Sequence, residues 1–181
     1  MNKHFVLLLS GFMLAWLLSG CDNNTELMNQ AMSGDVAGIS AQLAQGGDVN
    51  AKNRYGWTAL HHAARQNQLD AIKALLAAGA DPNAQDNDGW TTLMRAAAKG
   101  HVEASRLLLA AGAEVNAQDR NGWSALLWAV EREHTEMVKL LLDGGADVNV
   151  TAKDGRTAIM IARSEGYGDI LKLLQQADSR P

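Results

Sequence analysis

The chain has 181 residues, of which 47% are hydrophobic and 20% charged, and its formal net charge is −4. That composition excludes a disordered tail or a collagen-like fibre, and the acidic balance excludes a strongly basic, phosphate-seeking surface, so no nucleic-acid partner is expected. A single cysteine excludes an intramolecular disulfide and a cysteine-built zinc or iron–sulfur site; no metal and no cofactor is expected.

The first element is a leader. Met1-Asn2-Lys3-His4 is short and basic, and Phe5 to Leu18 is almost wholly apolar, broken only by Ser10 and Gly11. As a helix this run would rise roughly 21 Å, short of the ~30 Å hydrocarbon core, so it reads as a secretory signal over residues 1–20 and not as a membrane span. Leu18-Ser19-Gly20-Cys21 resembles the lipobox of bacterial lipoproteins. The resemblance implies cleavage before Cys21, a diacylglycerol on its sulfur and an acyl chain on its new amino group. Stable attachment needs two or more acyl chains, at about 0.8 kcal/mol per buried methylene, and such a Cys21 would meet that condition. Asp22 resembles the enterobacterial signal for retention at the inner membrane. The expected location is therefore the periplasmic face of a bacterial membrane, the inner one favoured. Residues 1–20 hold Lys3 and no acid, so cleavage leaves 15 Lys+Arg against 20 Asp+Glu and a net charge of −5. Such a charge gives no polybasic attraction to anionic lipid.

From there to the end the chain repeats every 33 residues. Gly56, Gly89, Gly122 and Gly155 keep that spacing, as do Gly46, Gly79, Gly112 and Gly145, then Asn50, Asn83, Asn116 and Asn149, and Leu75, Leu108, Leu141 and Leu174. One unit shows the local chemistry. Asn121-Gly122-Trp123 marks a tight turn. Ser124 is a good N-cap for a helix over 125–132, and Thr135 is read as the cap of a second helix. Val138, Leu141 and Leu142 fall at i, i+3 and i+4, one apolar stripe. Gly144-Gly145 ends that helix, and Ala146 to Asn149 is read as extended. Two helices of about ten residues are marginal alone, so stacked units must bury each other's stripes.

This pattern resembles the ankyrin repeat. The family's T-P-L-H-x-A stretch is echoed by Thr58-Ala59-Leu60-His61-His62-Ala63, by Thr91 to Ala96, by Ser124 to Ala129 and by Thr157 to Ala162; its G-A-D-V-N ending is intact at Gly145 to Asn149. The resemblance implies an all-α solenoid of helix-turn-helix units joined by β-turn fingers. The repeat domain spans residues 21–177 with units at 24–52, 53–85, 86–118, 119–151 and 152–177, the outer two as caps, and a tail over 178–181. Two departures stand out. Only His61 keeps the histidine that bridges adjacent turns in the family; Met94, Leu127 and Met160 cannot. Ser105 stands where other units have Ile72, Val138 and Leu171, a polar gap in the stripe.

Residues for chemistry are sparse. No serine sits in a G-x-S-x-G elbow, no phosphate-binding glycine loop occurs, and no acid, base and nucleophile converge, so the chain reads as a non-enzyme. His61 and His62 are adjacent and would not chelate together on a helix. His101 and His134 lie one repeat apart in the turn between helices, where ankyrin proteins commonly place a Gly-His pair, and Gly100-His101 matches it. The column after each turn glycine is more informative: Trp57, Trp90, Trp123 and then Arg156. The resemblance puts this position at the root of the finger on the concave side, where partners are contacted. The indoles either grip a polypeptide, as tryptophan does at binding hot spots, or pack together and stiffen the turns. Trp128, inside a first helix, is read as partly buried. Arg54, Tyr55, Asp88, Arg120 and Lys153 occupy family contact positions on the fingers. Their mixed charge fits a protein partner. The residues do not separate an adaptor from an inhibitor or immunity protein against a periplasmic enzyme or toxin. Some bacterial periplasmic ankyrin proteins resemble helpers in peroxide defence, a further alternative.

Overall fold

The computed structural model describes residues 23–179; the leader 1–20, Cys21, Asp22, Arg180 and Pro181 lie outside the described residues. Ten α-helices are present among the described residues, in five hairpins. They are α1 (Glu26–Ser33) with α2 (Val36–Ala44), α3 (Ala59–Arg65) with α4 (Leu69–Ala77), α5 (Thr92–Lys99) with α6 (Val102–Ala110), α7 (Ala125–Glu131) with α8 (Thr135–Asp143), and α9 (Ala158–Ser164) with α10 (Gly168–Asp178). No strand forms among the described residues, although isolated antiparallel bridges, Gln85 to Thr91 and Thr151 to Thr157, close two of the fingers.

The first helix of every hairpin starts the same way. Thr25, Thr58, Thr91, Ser124 and Thr157 are its N-caps, and each side-chain oxygen accepts from the backbone N–H three residues on, at 3.3 or 3.4 Å. Such a cap contributes about 1 kcal/mol, which matters for helices of seven or eight residues. Second helices are built differently. Asp35 caps α2, but Gln68, His101, His134 and Tyr167 precede α4, α6, α8 and α10 with no side-chain cap. Thr135, expected as the cap of α8, is instead its first residue. The capping position falls on His134, whose ring turns away to meet the Ala98 carbonyl at 3.3 Å. His101 likewise reaches the Arg65 carbonyl at 3.2 Å, and the Gln68 amide donates to the Met32 carbonyl at 3.3 Å. A carbonyl only accepts, so Nε2 carries the hydrogen in both histidines. This 33-residue column ties the starts of α4, α6 and α8 to the end of the preceding unit's first helix.

Burial follows the repeat. Leu75, Leu108, Leu141 and Leu174 are all fully buried, in one core that runs from Leu27 to Leu174. Successive first helices touch more extensively than successive second helices, so the first helices and fingers form the inner, concave side. Ser105 is as buried as Ile72 and Val138, and its hydroxyl has no hydrogen-bond partner.

The asparagine column is a staple. Asn50, Asn83 and Asn116 each donate from Nδ2 to the carbonyl of Gly79, Gly112 or Gly145 in the next unit, at 3.1–3.3 Å. Each also accepts at Oδ1 from the backbone N–H of Asp81, Glu114 or Asp147, at 2.8 Å. The segment expected to be extended contains a turn for this reason. Asp147 accepts from the Asn149 N–H at 2.8 Å and bends the chain so that the amide faces its neighbour.

Neighbouring fingers are joined at their tips. Asn87 donates from its backbone N–H to the Tyr55 carbonyl, Arg120 to that of Asp88 and Lys153 to that of Asn121, at 2.9–3.0 Å. Gly56 needs to be glycine twice over. Its φ is +79°, and a Cβ there would stand 2.8 Å from the Asn87 backbone nitrogen.

Candidate functional site: the tryptophan-lined groove

One side chain at the root of each of the second, third and fourth units' fingers aims the tryptophan that follows. Asn53 Oδ1 accepts from the backbone N–H of Tyr55 and Trp57 at 2.9 and 3.0 Å. Asp86 Oδ1 does the same for Asp88 and Trp90, and Asp119 Oδ1 for Asn121 and Trp123, at 2.8 and 3.0 Å. All three acceptors are buried. In the last finger Ala152 stands at that position, and Asp154 takes over. It accepts from the Arg156 backbone N–H at 3.1 Å and from its Nε at 2.8 Å, which holds the exposed Asp154 carboxyl below its usual range.

The indoles thus aimed do not stack directly on one another. Residues from the inner helices stand between them. The Arg95 guanidinium, on α5, lies over both Trp57 and Trp90, 4.4 and 4.3 Å from their centroids. Trp128, on α7, sits between Trp90 and Trp123, with ring centroids 4.3 and 4.6 Å away. Arg156 closes the series 4.7 Å over Trp123. The order along the groove is Trp57, Arg95, Trp90, Trp128, Trp123, Arg156. Each intercalated group is fixed by the second oxygen of an aiming carboxylate: Arg95 pairs with Asp86 Oδ2, and Trp128 donates to Asp119 Oδ2 at 3.2 Å. Each carboxylate therefore orients one tryptophan through backbone and one rung through a side chain. The aromatic and cation–π contacts are each worth about 0.5–1.5 kcal/mol beyond area burial.

The expected contact residues separate into two groups. Trp57 and Trp90 are half-buried with ring edges toward the groove, whereas Trp123 is 6% exposed. Arg54, Tyr55, Asp88, Arg120, Lys153 and Arg156 are exposed; Arg54 stacks on the Tyr55 ring 4.5 Å from its centroid, and Arg156 bridges Asp154 and Glu131. The fold brings Trp57 and Trp90 together with Arg95, while the finger-tip side chains line the rim. Sequence reasoning missed Arg95 as a rung. The signal was present: His62, Arg95, Trp128 and Ile161 are also 33 apart, but that column changes chemistry at each step.

Three clefts open beside the stack. One, about 670 Å³, is lined by Trp57, Trp90, Arg65, Arg95, Lys99 and Arg132 among others. A second, about 520 Å³, lies against Trp123, Trp128, Glu131, Lys153, Asp154 and Arg156, and a third, about 400 Å³, adjoins the first and is lined by Tyr55, Trp57, Arg65, Asp88 and Arg95 among others. His61 lies behind the first. Its ring Nδ1 meets Thr58 Oγ1 at 2.9 Å and its Nε2 meets the Trp90 carbonyl at 3.2 Å, a bridge between two units. Burial lowers its pKa to about 4, so it is neutral, with Nε2 donating and Nδ1 accepting. Met94, at the same position one unit on, accepts the Thr91 N–H on its sulfur instead and makes no such bridge. Among the described residues no three His, Cys, Asp or Glu side chains are grouped to hold a metal.

A family model described as ankyrin repeats (3 copies) matches residues 9–86, 27–119 and 93–180. The chain belongs to the ankyrin-repeat family. No curated protein matches it. As an ankyrin-repeat array of five helical hairpins, the chain is an all-α solenoid of a kind that serves as a protein–protein interaction module.

Proposed function

We propose that this ankyrin solenoid is a non-enzymatic module that binds a protein along its concave groove, with the Trp57 and Trp90 edges as anchors and the finger tips as rim. The observation that carries the reading is the interleaved stack. The indoles are already fixed by their stacked neighbours before any partner arrives, so binding at their edges costs little side-chain entropy. Trp and Arg are also the residue types that dominate binding energy at interfaces.

The same reading includes an anchor at Cys21, with the solenoid held on the periplasmic face of a bacterial membrane and the inner membrane favoured by Asp22. The lipobox-like Leu18-Ser19-Gly20-Cys21 supports it. No helix among the described residues is long and apolar enough to cross a membrane.

The test of binding is capture of partners from cells with the Trp57→Ala and Trp90→Ala double variant. The expected result is loss of the captured protein with helical content unchanged. Equal capture by the folded variant would remove the groove from the mechanism. The anchor is tested by palmitate labelling: the label is expected on the native chain and absent from Cys21→Ser.

A further inference from the structure

We infer that the groove is built for an acidic polypeptide segment, laid in extended form across the middle three units. This rests on the protein-binding reading and assigns the partner's charge and register.

The larger cleft holds four cations, Arg65, Arg95, Lys99 and Arg132, and no carboxylate lines it. In a chain of net charge −4 that is a local inversion of sign. The charge of Arg95 is already matched by buried Asp86. Arg65, Lys99 and Arg132 are exposed and form no ion pair among the described residues, and Arg65 lies 5.4 Å over the Trp57 ring. The neighbouring cleft is different, since Arg156 there is bridged to Asp154 and Glu131 and the charge is balanced. The unpaired cations thus lie along one stretch, beside the Trp57 and Trp90 edges, with Asp88 across the adjoining cleft toward the finger tips.

Arg65, Lys99 and Arg132 lie at the ends of α3, α5 and α7, one per unit. Packed helices stand about 8–10 Å apart. An extended segment in the polyproline II conformation has three residues per turn and rises about 3.1 Å each, so every third side chain lies on one face and advances by about 9 Å. Acidic side chains at about every third position would meet the cations in turn, and apolar residues between them would reach the indole edges. A low-dielectric aromatic wall strengthens such pairings. A membrane surface does not fit, because a flat headgroup plane cannot enter a concave groove, and a nucleic-acid strand would carry more charge than three free cations match.

The test is a random dodecapeptide array, from strongly acidic to strongly basic, probed with the full-length chain in neutral detergent. Bound peptides are expected to be rich in Asp and Glu at roughly three-residue spacing, with binding that weakens as salt rises. Lys99→Glu and Arg132→Glu should each weaken the selected peptides roughly tenfold, while Lys139→Glu, on the outer helix α8, leaves them unchanged. Selection of neutral or basic peptides that still need Trp57 and Trp90 would overturn the charge assignment and leave the protein-binding reading standing. Selection of no peptide would overturn both. Tighter binding of a single-stranded oligonucleotide, lost on the same two reversals, would overturn the proposal in favour of nucleic acid.

Discussion

Trp128 donates its indole N–H to Asp119 Oδ2 across 3.2 Å, and through that bond one buried carboxylate holds both a finger and a rung of the aromatic stack. The unit before repeats the device with Arg95 on Asp86. Where Asn53 replaces the acid, the backbone-accepting oxygen is kept and the inner-helix residue is His62. The acid is thus present where its second oxygen receives a cation or an indole.

Asp119→Ala should therefore cost more than a typical surface change. Three donors, the N–H groups of Asn121 and Trp123 and the Trp128 indole, lose their acceptor. The expected loss is about 2–4 kcal/mol in urea unfolding. Asp119→Asn keeps the backbone acceptor and loses only the indole bond, so it should cost about 1 kcal/mol. Equal losses for both would show that the indole bond governs the site.

Ser105 points the other way. Its hydroxyl is buried in the apolar stripe with no partner. Ser105→Ala removes the unpaired group without adding bulk and should raise stability by about 1 kcal/mol, read as a higher urea midpoint at constant slope.

His61 makes stability depend on pH. Its pKa is about 4 folded, against 6.5 for an exposed imidazole. The unfolded chain takes up a proton first as pH falls, so the contribution is complete above pH 6.5 and is lost as pH drops through about 4. The shift corresponds to a loss of about 3 kcal/mol over that window. His61→Met, the residue found at the same position in the next unit, should flatten this component of the stability–pH curve. An unchanged curve would assign the pH dependence to other groups.

The asparagine staples couple units and contribute little within them. Asn83→Ala removes a bond to the Gly112 carbonyl and one from the Glu114 N–H. It should cost about 1–2 kcal/mol and broaden the unfolding transition, because nearest-neighbour coupling is what makes a solenoid unfold as one body. Hydrogen exchange should show faster opening on one side of the third unit.

Much of this architecture was legible in the sequence. Gly56, Asn50 and Leu75 recur at 33 residues because each obeys a constraint that every unit shares: a positive φ, an inter-unit staple, a buried stripe. Ser105 was legible as a gap for the same reason. The interleaving was not. Period alone put Trp57, Trp90 and Trp123 in one column, but it did not say that Arg95 and Trp128 enter between them. That depends on the spacing of packed inner helices, and the residues in that column share no chemistry. The end of α8 was legible from Gly144-Gly145 and its start was not, because Thr135 resembles a cap while His134 takes the position.

The most direct measurement of the central claim is photo-crosslinking in living cells with single photoreactive residues. Ala98 and Tyr55 serve in the groove and on its rim, and Lys139 and Arg106 on the outer helices. The account predicts that Ala98 and Tyr55 capture the same protein while Lys139 and Arg106 capture none. Capture from the outer helices alone would contradict it.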